Sequence, residues 1–170
     1  MFLTTWEQER MKPTIEERFW SKVDKDGPVP VGHEELGTCW IWTGFTRNGY
    51  GLFWYQGQDR QAQRICYILS FGDIPKRMVI DHICHDRACV NPEHIRLATV
   101  SQNNKNLSRA KNNTSGFKGV RWHKGNKNWQ SQIQSDGIRT HLGSFDTPEE
   151  AYAAYCEAAS RLHGEFVNLG

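Results

Sequence analysis

The chain has 170 residues, 38 % of them hydrophobic, with seven Trp and five Cys and a mean hydropathy of −0.69. That leaves room for one ordinary domain or two small ones. The aromatic content excludes a disordered chain, and no run of about 18 apolar residues exists to span a membrane. The net charge of +2 hides an asymmetry. Residues 105–141 carry eight Lys/Arg against the single acid Asp136, a balance of +7, whereas residues 142–170 carry one Arg against five acids. A basic stretch rich in Asn, Gly and Trp is an electrostatic footprint for nucleic acid. The opening MFLTTWEQERMKP lacks a basic stretch followed by an apolar run, so no signal peptide is expected. A cytoplasmic, reducing setting follows, in which the Cys residues read as metal ligands or core thiols rather than disulfides.

In chain order, residues 14–24 have helical spacing, with Phe19, Trp20 and Val23 on one face. Trp40 to Trp42 opens a strand, Asn48-Gly49 is a hairpin turn, and Gly51 to Tyr55 returns. Gln56-Gly57 turns again, and residues 62–71 have helical apolar spacing at Ile65, Ile68 and Leu69. Met78 to Ile80 is a short strand ending at Asp81-His82. Residues 101–110 read as a helix capped by Ser101. Three strands are expected near 117–123, 128–134 and 138–143, with Asp136-Gly137 at the second turn. Thr147-Pro148-Glu149-Glu150 is a helix start with a capping box. That helix places Ala151, Tyr155, Ala158 and Leu162 on one face and ends at Gly164.

The segment Asp81 to His94 carries Cys84, Cys89 and His94 at five-residue spacing. Two thiolates and an imidazole so close are a natural zinc set, because zinc wants four soft or borderline ligands in a tetrahedron. The fourth ligand comes from elsewhere. Cys39, which a hairpin brings alongside, is preferred and His85 is another option, whereas Cys66 lies in an apolar run and reads as a core thiol. His82 ends a strand and Asn103 opens the next helix. An imidazole and an amide oxygen divide phosphodiester hydrolysis well: the imidazole takes a proton from water, and the amide holds a divalent cation on the phosphate.

The pattern D-H-x-C-x4-C-V-N-P-x-H with a later Asn resembles the ββα-metal (His-Me finger) nucleases, above all the His-Cys box homing endonucleases and the phage HNH endonucleases. The upstream C-W-x-W-T-G and N-G-Y-G-x-F resemble the start of the phage HNH domain, so the likeness covers about residues 14–106. The resemblance implies His82 as general base and Asn103 as ligand of a catalytic Mg²⁺ or another divalent cation, with Asp81 as a second candidate ligand. It also implies Cys39, Cys84, Cys89 and His94 as the structural zinc set, and Arg64 as the phosphate contact. Gln63 stands where related phage proteins often read His, and Asn91 is expected to brace the loop.

Residues 115–169, with G-V-R-W, W-Q-S-Q-I-Q and L-G-S-F-D-T-P-E-E-A, resemble the AP2/ERF DNA-binding domain. The resemblance implies a three-stranded antiparallel sheet in the major groove, packed on one helix. By position, Arg121, His123, Trp129, Gln132, Gln134, Arg139 and His141 would face DNA; alternate residues of a strand share a face, and Arg and Gln read G and A edges.

The fold class expected is α+β: a ββα-metal nuclease module with a structural zinc over residues 1–106, a linker at 107–114, and an AP2-like module over 115–170. The linker, with Arg109 and Lys111, is suited to a minor groove. The function expected is a site-directed, phage-type homing endonuclease acting on double-stranded DNA as a monomer or homodimer. The alternative is a non-catalytic DNA-binding regulator that uses the nuclease fold as scaffold.

Overall fold

The computed structural model describes residues 12–110 and 112–170. The expectations for the first eleven residues and for Lys111 lie outside the described residues. The chain forms two compact units: residues up to Lys76 together with His82–Leu97, and Arg77–Asp81 together with Ala98–Gly170. The division runs through the strands β6 (Val79–His82) and β7 (Ile95–Ala98). No helix among the described residues is long and apolar enough to cross a membrane.

In the first unit, α1 (Ile15–Trp20) begins at a Thr14–Glu17 capping box. It stops earlier than its spacing suggests, because Val23–Asp24 is taken up as strand β1, paired with β2 (Ile41–Trp42). β3 (Thr46–Arg47), β4 (Tyr50–Tyr55) and β5 (Gln58–Gln61) form an antiparallel meander. Its two turns are Asn48-Gly49 (φ 53° and 84°) and Gln56-Gly57 (φ 50° and 80°). Paired positive φ values give the type I′ geometry that matches strand twist. β5 lacks apolar residues, so nothing in its composition announces a strand; register against Leu52 to Tyr55 makes it one. Phe19, Trp42 and Phe53 meet at ring-centroid distances of 5.1–5.9 Å. Gly51 lies under Trp42, where a Cβ would come within 2.6 Å of Cγ. The helix α2 (Ala62–Phe71) closes this core with Ala62, Ile65 and Cys66.

In the second unit, α3 (Val100–Lys105) is capped by Thr99, with Gln102 completing a capping box. Ser101 is therefore inside the helix, and the helix is shorter than the 101–110 expected. β8 (Val120–His123), β9 (Asn128–Ser135) and β10 (Ile138–Phe145) form an antiparallel sheet in the order β10-β9-β8. α4 (Pro148–His163) begins at the Thr147–Glu150 capping box and ends at Gly164. Tyr155, Ala158 and Ala159 pack on Ile133. Leu162 is 39 % exposed and His163 takes the buried place, donating from Nε2 to the Gln134 carbonyl at 3.3 Å. The architecture is α+β throughout, as expected.

Candidate metal centre and nucleic-acid interface

Backbone bonds bring the four candidate metal-ligating residues together. Trp42 N donates to Ala88 O and Val90 N to Trp40 O, so the loop after Cys84 is laced to the strand that follows Cys39. Ile83 N donates to His94 O, which closes the loop's far end. Cys39, Cys84, Cys89 and His94 are all buried, with ligand atoms within 4.8 Å of one another. His94 Nδ1 lies 3.5 Å from Cys39 Sγ and 3.6 Å from Cys89 Sγ. Tetrahedral zinc, with Zn–S of about 2.3 Å and Zn–N of about 2.0–2.1 Å, requires an S···N separation of about 3.6 Å. The donor set therefore fits zinc. The other ring nitrogen, Nε2, donates to Leu36 O at 2.9 Å, which leaves the Nδ1 lone pair toward the sulfurs. His85 is exposed and outside this cluster, so Cys39 is the fourth member. Cys66 donates to Val90 O at 2.9 Å as a buried core thiol, pushed up to about 12 by burial.

The thiols are unequal. A hydrogen bond from Cys84 holds Cys89 down at about 6, and the same bond raises Cys84. Burial pushes Cys39 up to about 12. Asn91 braces the loop: its Nδ2 donates to Thr38 O, its Oδ1 accepts from Glu93 N, and its own N–H points at Cys89 Sγ at 3.4 Å.

His82 is buried, and its Nε2 lies 3.2 Å from the carbonyl of Cys89. A carbonyl only accepts, so Nε2 carries the proton and the neutral ring keeps its lone pair on Nδ1. The Tyr50 ring lies 6.1 Å away, and the Arg87 guanidinium stands 5.3 Å over Tyr50. Asp81 is buried, and both its oxygens accept from Asn106 Nδ2, at 2.8 and 3.0 Å. This Asn106 brace, 25 residues away, had no signal in the sequence. Asn103 sits in α3, half-buried, its N–H bonded to Thr99 O. Arg64 is half-buried on α2; beside it Gln63 is buried, with Oε1 lacking a hydrogen-bond partner among the described residues.

Register decides which side chains share a face of the second sheet. Arg121 pairs with Gln130, His141 with Gln132, and Arg139 with Gln134, while Ile133, one position over, packs on α4. Arg121, His123, Gln132, Gln134, Arg139 and His141 therefore fall on the face opposite the helix. Trp129 does not: it has the parity of Ser131 and Ile133, pairs with Trp122, and meets that ring edge-on at 5.1 Å. The expected set loses Trp129 from the open face.

Residues 60–105 match the family described as HNH endonuclease, and residues 115–165 match the AP2 domain. The chain belongs to the HNH endonuclease family. This HNH chain is 34 % identical over 123 residues to Protein 3.8 of Escherichia phage T7, covering 72 % of itself and 98 % of that protein. It is 33 % identical over 121 residues to an uncharacterized HNH endonuclease of Acanthamoeba polyphaga mimivirus, covering 71 % of itself and 62 % of that protein. Protein 7.7 of the same T7 phage is 33 % identical over 70 residues, 41 % of this chain and 54 % of that protein. No solved structure matches the chain. The family membership supports a nuclease role, and the AP2 match implies DNA binding.

Proposed function

We propose that this protein is a site-directed DNA endonuclease of the homing type, dependent on a divalent cation such as Mg²⁺. The observation that carries the reading is the Cys89 carbonyl on His82 Nε2. It fixes the tautomer whose Nδ1 accepts a proton from water. Because Cys89 also belongs to the Cys3His cluster, a zinc ion held there would fix the loop and, through the Cys89 carbonyl, the orientation of the base. Cys39, Cys84, Cys89 and His94 would hold the zinc as a structural ion. Asn103 offers a neutral, hard oxygen of the kind Mg²⁺ takes alongside phosphate oxygens. Asp81, both of whose oxygens are engaged by Asn106, serves as a brace and a secondary ligand.

In the reaction, the water that loses its proton to His82 attacks phosphorus, and the bond to the 3′ oxygen breaks. The departing 3′ oxygen takes a proton from solvent, so the products are a 5′-phosphate and a 3′-hydroxyl. Asn103 would hold the divalent cation, which when bound would supply charge neutralisation for phosphoryl transfer. Arg64 contacts the phosphate. Residues 1–106 supply the cutting chemistry, 107–114 the linker, and 115–170 the address, read by Arg121, His123, Gln132, Gln134, Arg139 and His141. The test is nicking of supercoiled plasmid with Mg²⁺ and with chelator, followed by mapping of the ends on labelled duplex. Metal-dependent nicks with 5′-phosphate ends are expected. Specific binding with no cleavage under any divalent cation would make the protein a DNA-binding regulator instead.

A further inference from the structure

α3 has six residues. A helix this short is marginal in water and takes its position from tertiary contacts. Those contacts come from the DNA-reading sheet, the C-terminal tail and Asp81, whose two oxygens accept from Asn106 Nδ2 at the helix end. Ser101 Oγ donates to Asp136 Oδ1 at 3.0 Å, and Lys105 Nζ to Asp136 Oδ2 at 3.3 Å. Ser101 and Lys105 are four residues apart and share one face; Asn103, two residues from each, points about 200° round the helix. The carboxylate that grips one face therefore sets the angle of the other. Lys118 Nζ holds the helix end, donating to Lys105 O and Leu107 O at 3.1 and 2.6 Å, and to Asn168 O at 2.7 Å. Asn168 Nδ2 donates to Asn106 O at 2.9 Å. An open cavity of about 670 Å³, lined by Val100, Asn104, Gln132, Ile133 and Tyr155 among others, lies beside these ties. Polar bonds thus tie the helix to the sheet and to the tail.

Asp136 is a residue of the two-residue β9–β10 turn, with φ 52° followed by Gly137 at 82°. A type I′ turn tolerates Asp there because Asp accepts left-handed backbone. The pair Gln134 and Arg139 flanks this turn on the open face. We propose that Asp136 is a positioning residue for cleavage: from the tip of the DNA-reading hairpin it fixes the helix that carries Asn103, so that reading and cutting share one structural element. The proposal rests on the reading of Asn103 as ligand of the catalytic cation.

The test uses the full chain with Asp136→Gly, since Gly accepts the same φ and removes only the carboxylate. Hydrogen exchange follows the amides of Asn103 and Asn106, which donate to Thr99 O and Gln102 O. In parallel, nicking is titrated with Mg²⁺, and duplex affinity is measured in Ca²⁺. Exchange over residues 100–106 is expected to accelerate, and the half-saturating Mg²⁺ to rise about tenfold, as for loss of a group that orients a metal ligand. Duplex affinity stays that of the wild type. Asp136→Asn, which keeps an acceptor oxygen, restores part of the effect. Unchanged exchange, unchanged Mg²⁺ dependence, or a loss of duplex binding that matches the loss of cleavage overturns the proposal. Asn103→Ala separates the two readings. If it leaves the Mg²⁺ dependence unaltered, Asn103 is not the ligand and the positioning claim falls with it, a failure visible apart from that of Asp136.

Discussion

Serine at Cys84 or Cys89 keeps the size of the side chain and removes the sulfur ligand. Both sites lie in a loop with little apolar packing besides Leu36 and Ile41. Zinc contributes roughly 10 kcal/mol or more of folding energy in small sites, comparable with the whole stability of a domain at about 5–15 kcal/mol. Cys84→Ser or Cys89→Ser is therefore expected to unfold the first unit rather than slow it, and metal analysis of the wild type to find about one zinc per chain. An intact, metal-free fold would contradict the ligand set. Gly119 is a second sensitive residue. Its φ is +76°, and a Cβ there would collide with the Tyr155 ring and come within 2.8 Å of Gln132 O. Gly119→Ala should cost about 3 kcal/mol or more of stability in urea unfolding. Single residues were legible where spacing alone fixes chemistry, as at Cys84, Cys89 and His94. Trp129 was misplaced because its parity with Ile133 decides its face, and only the packing of Ile133 on α4 says which face is covered.

At the scale of elements, Lys118 joins the end of α3 to the C-terminal tail. Lys118→Met leaves three carbonyls without their donor, a loss of about 3 kcal/mol given what bonds to charged groups contribute. Burial lowers this ammonium from 10.5 to about 8. The folded chain thus releases the proton before the unfolded chain does, so between about pH 8 and 10.5 the unfolded state binds more protons and stability rises with pH. The wild-type minus Lys118→Met stability difference, from urea unfolding at pH 7.5 and pH 10, should grow at the higher pH; a difference that shrinks would contradict the burial. Elements with strong local signals were legible. The helix 62–71 falls where its spacing puts it, and α4 starts at its capping box. β5 and the cap of α3 were not, because register against β4 and a Thr99–Gln102 bond outweigh local preference.

At the scale of the molecule, the six-residue helix with Asn103 groups with the AP2 region, although in sequence it closes the nuclease region. Deleting residues 113–170 removes Lys118, Arg121, Lys124, Lys127 and Arg139, five of the eight basic groups in 105–141. If all five contact DNA, the salt slope loses roughly 4 to 5 units through counterion release. The same deletion removes Asp136, Lys118 and Asn168, so the truncated chain is expected to lose cleavage together with sequence preference. A truncated chain that nicks at the wild-type rate would show that α3 needs no anchor from residues 113–170. The Cys3His cluster and the HNH and AP2 regions were legible because each leaves a compact motif. The ties of α3 were not, since Ser101–Asp136 and Asn106–Asp81 join residues 35 and 25 apart with no local pattern.

In the proposed reaction, cleavage turns most directly on His82 as the base that takes the proton from water. The direct measurement is Mg²⁺-dependent cleavage of a bound duplex by His82→Ala, beside its affinity for that duplex. Cleavage is predicted to fall by about 10²–10⁴-fold, the range for loss of a general base, with affinity retained, because the imidazole acts on water and not on the duplex. Cleavage that persists, or binding that collapses with it, would contradict the assignment and leave His82 a structural residue.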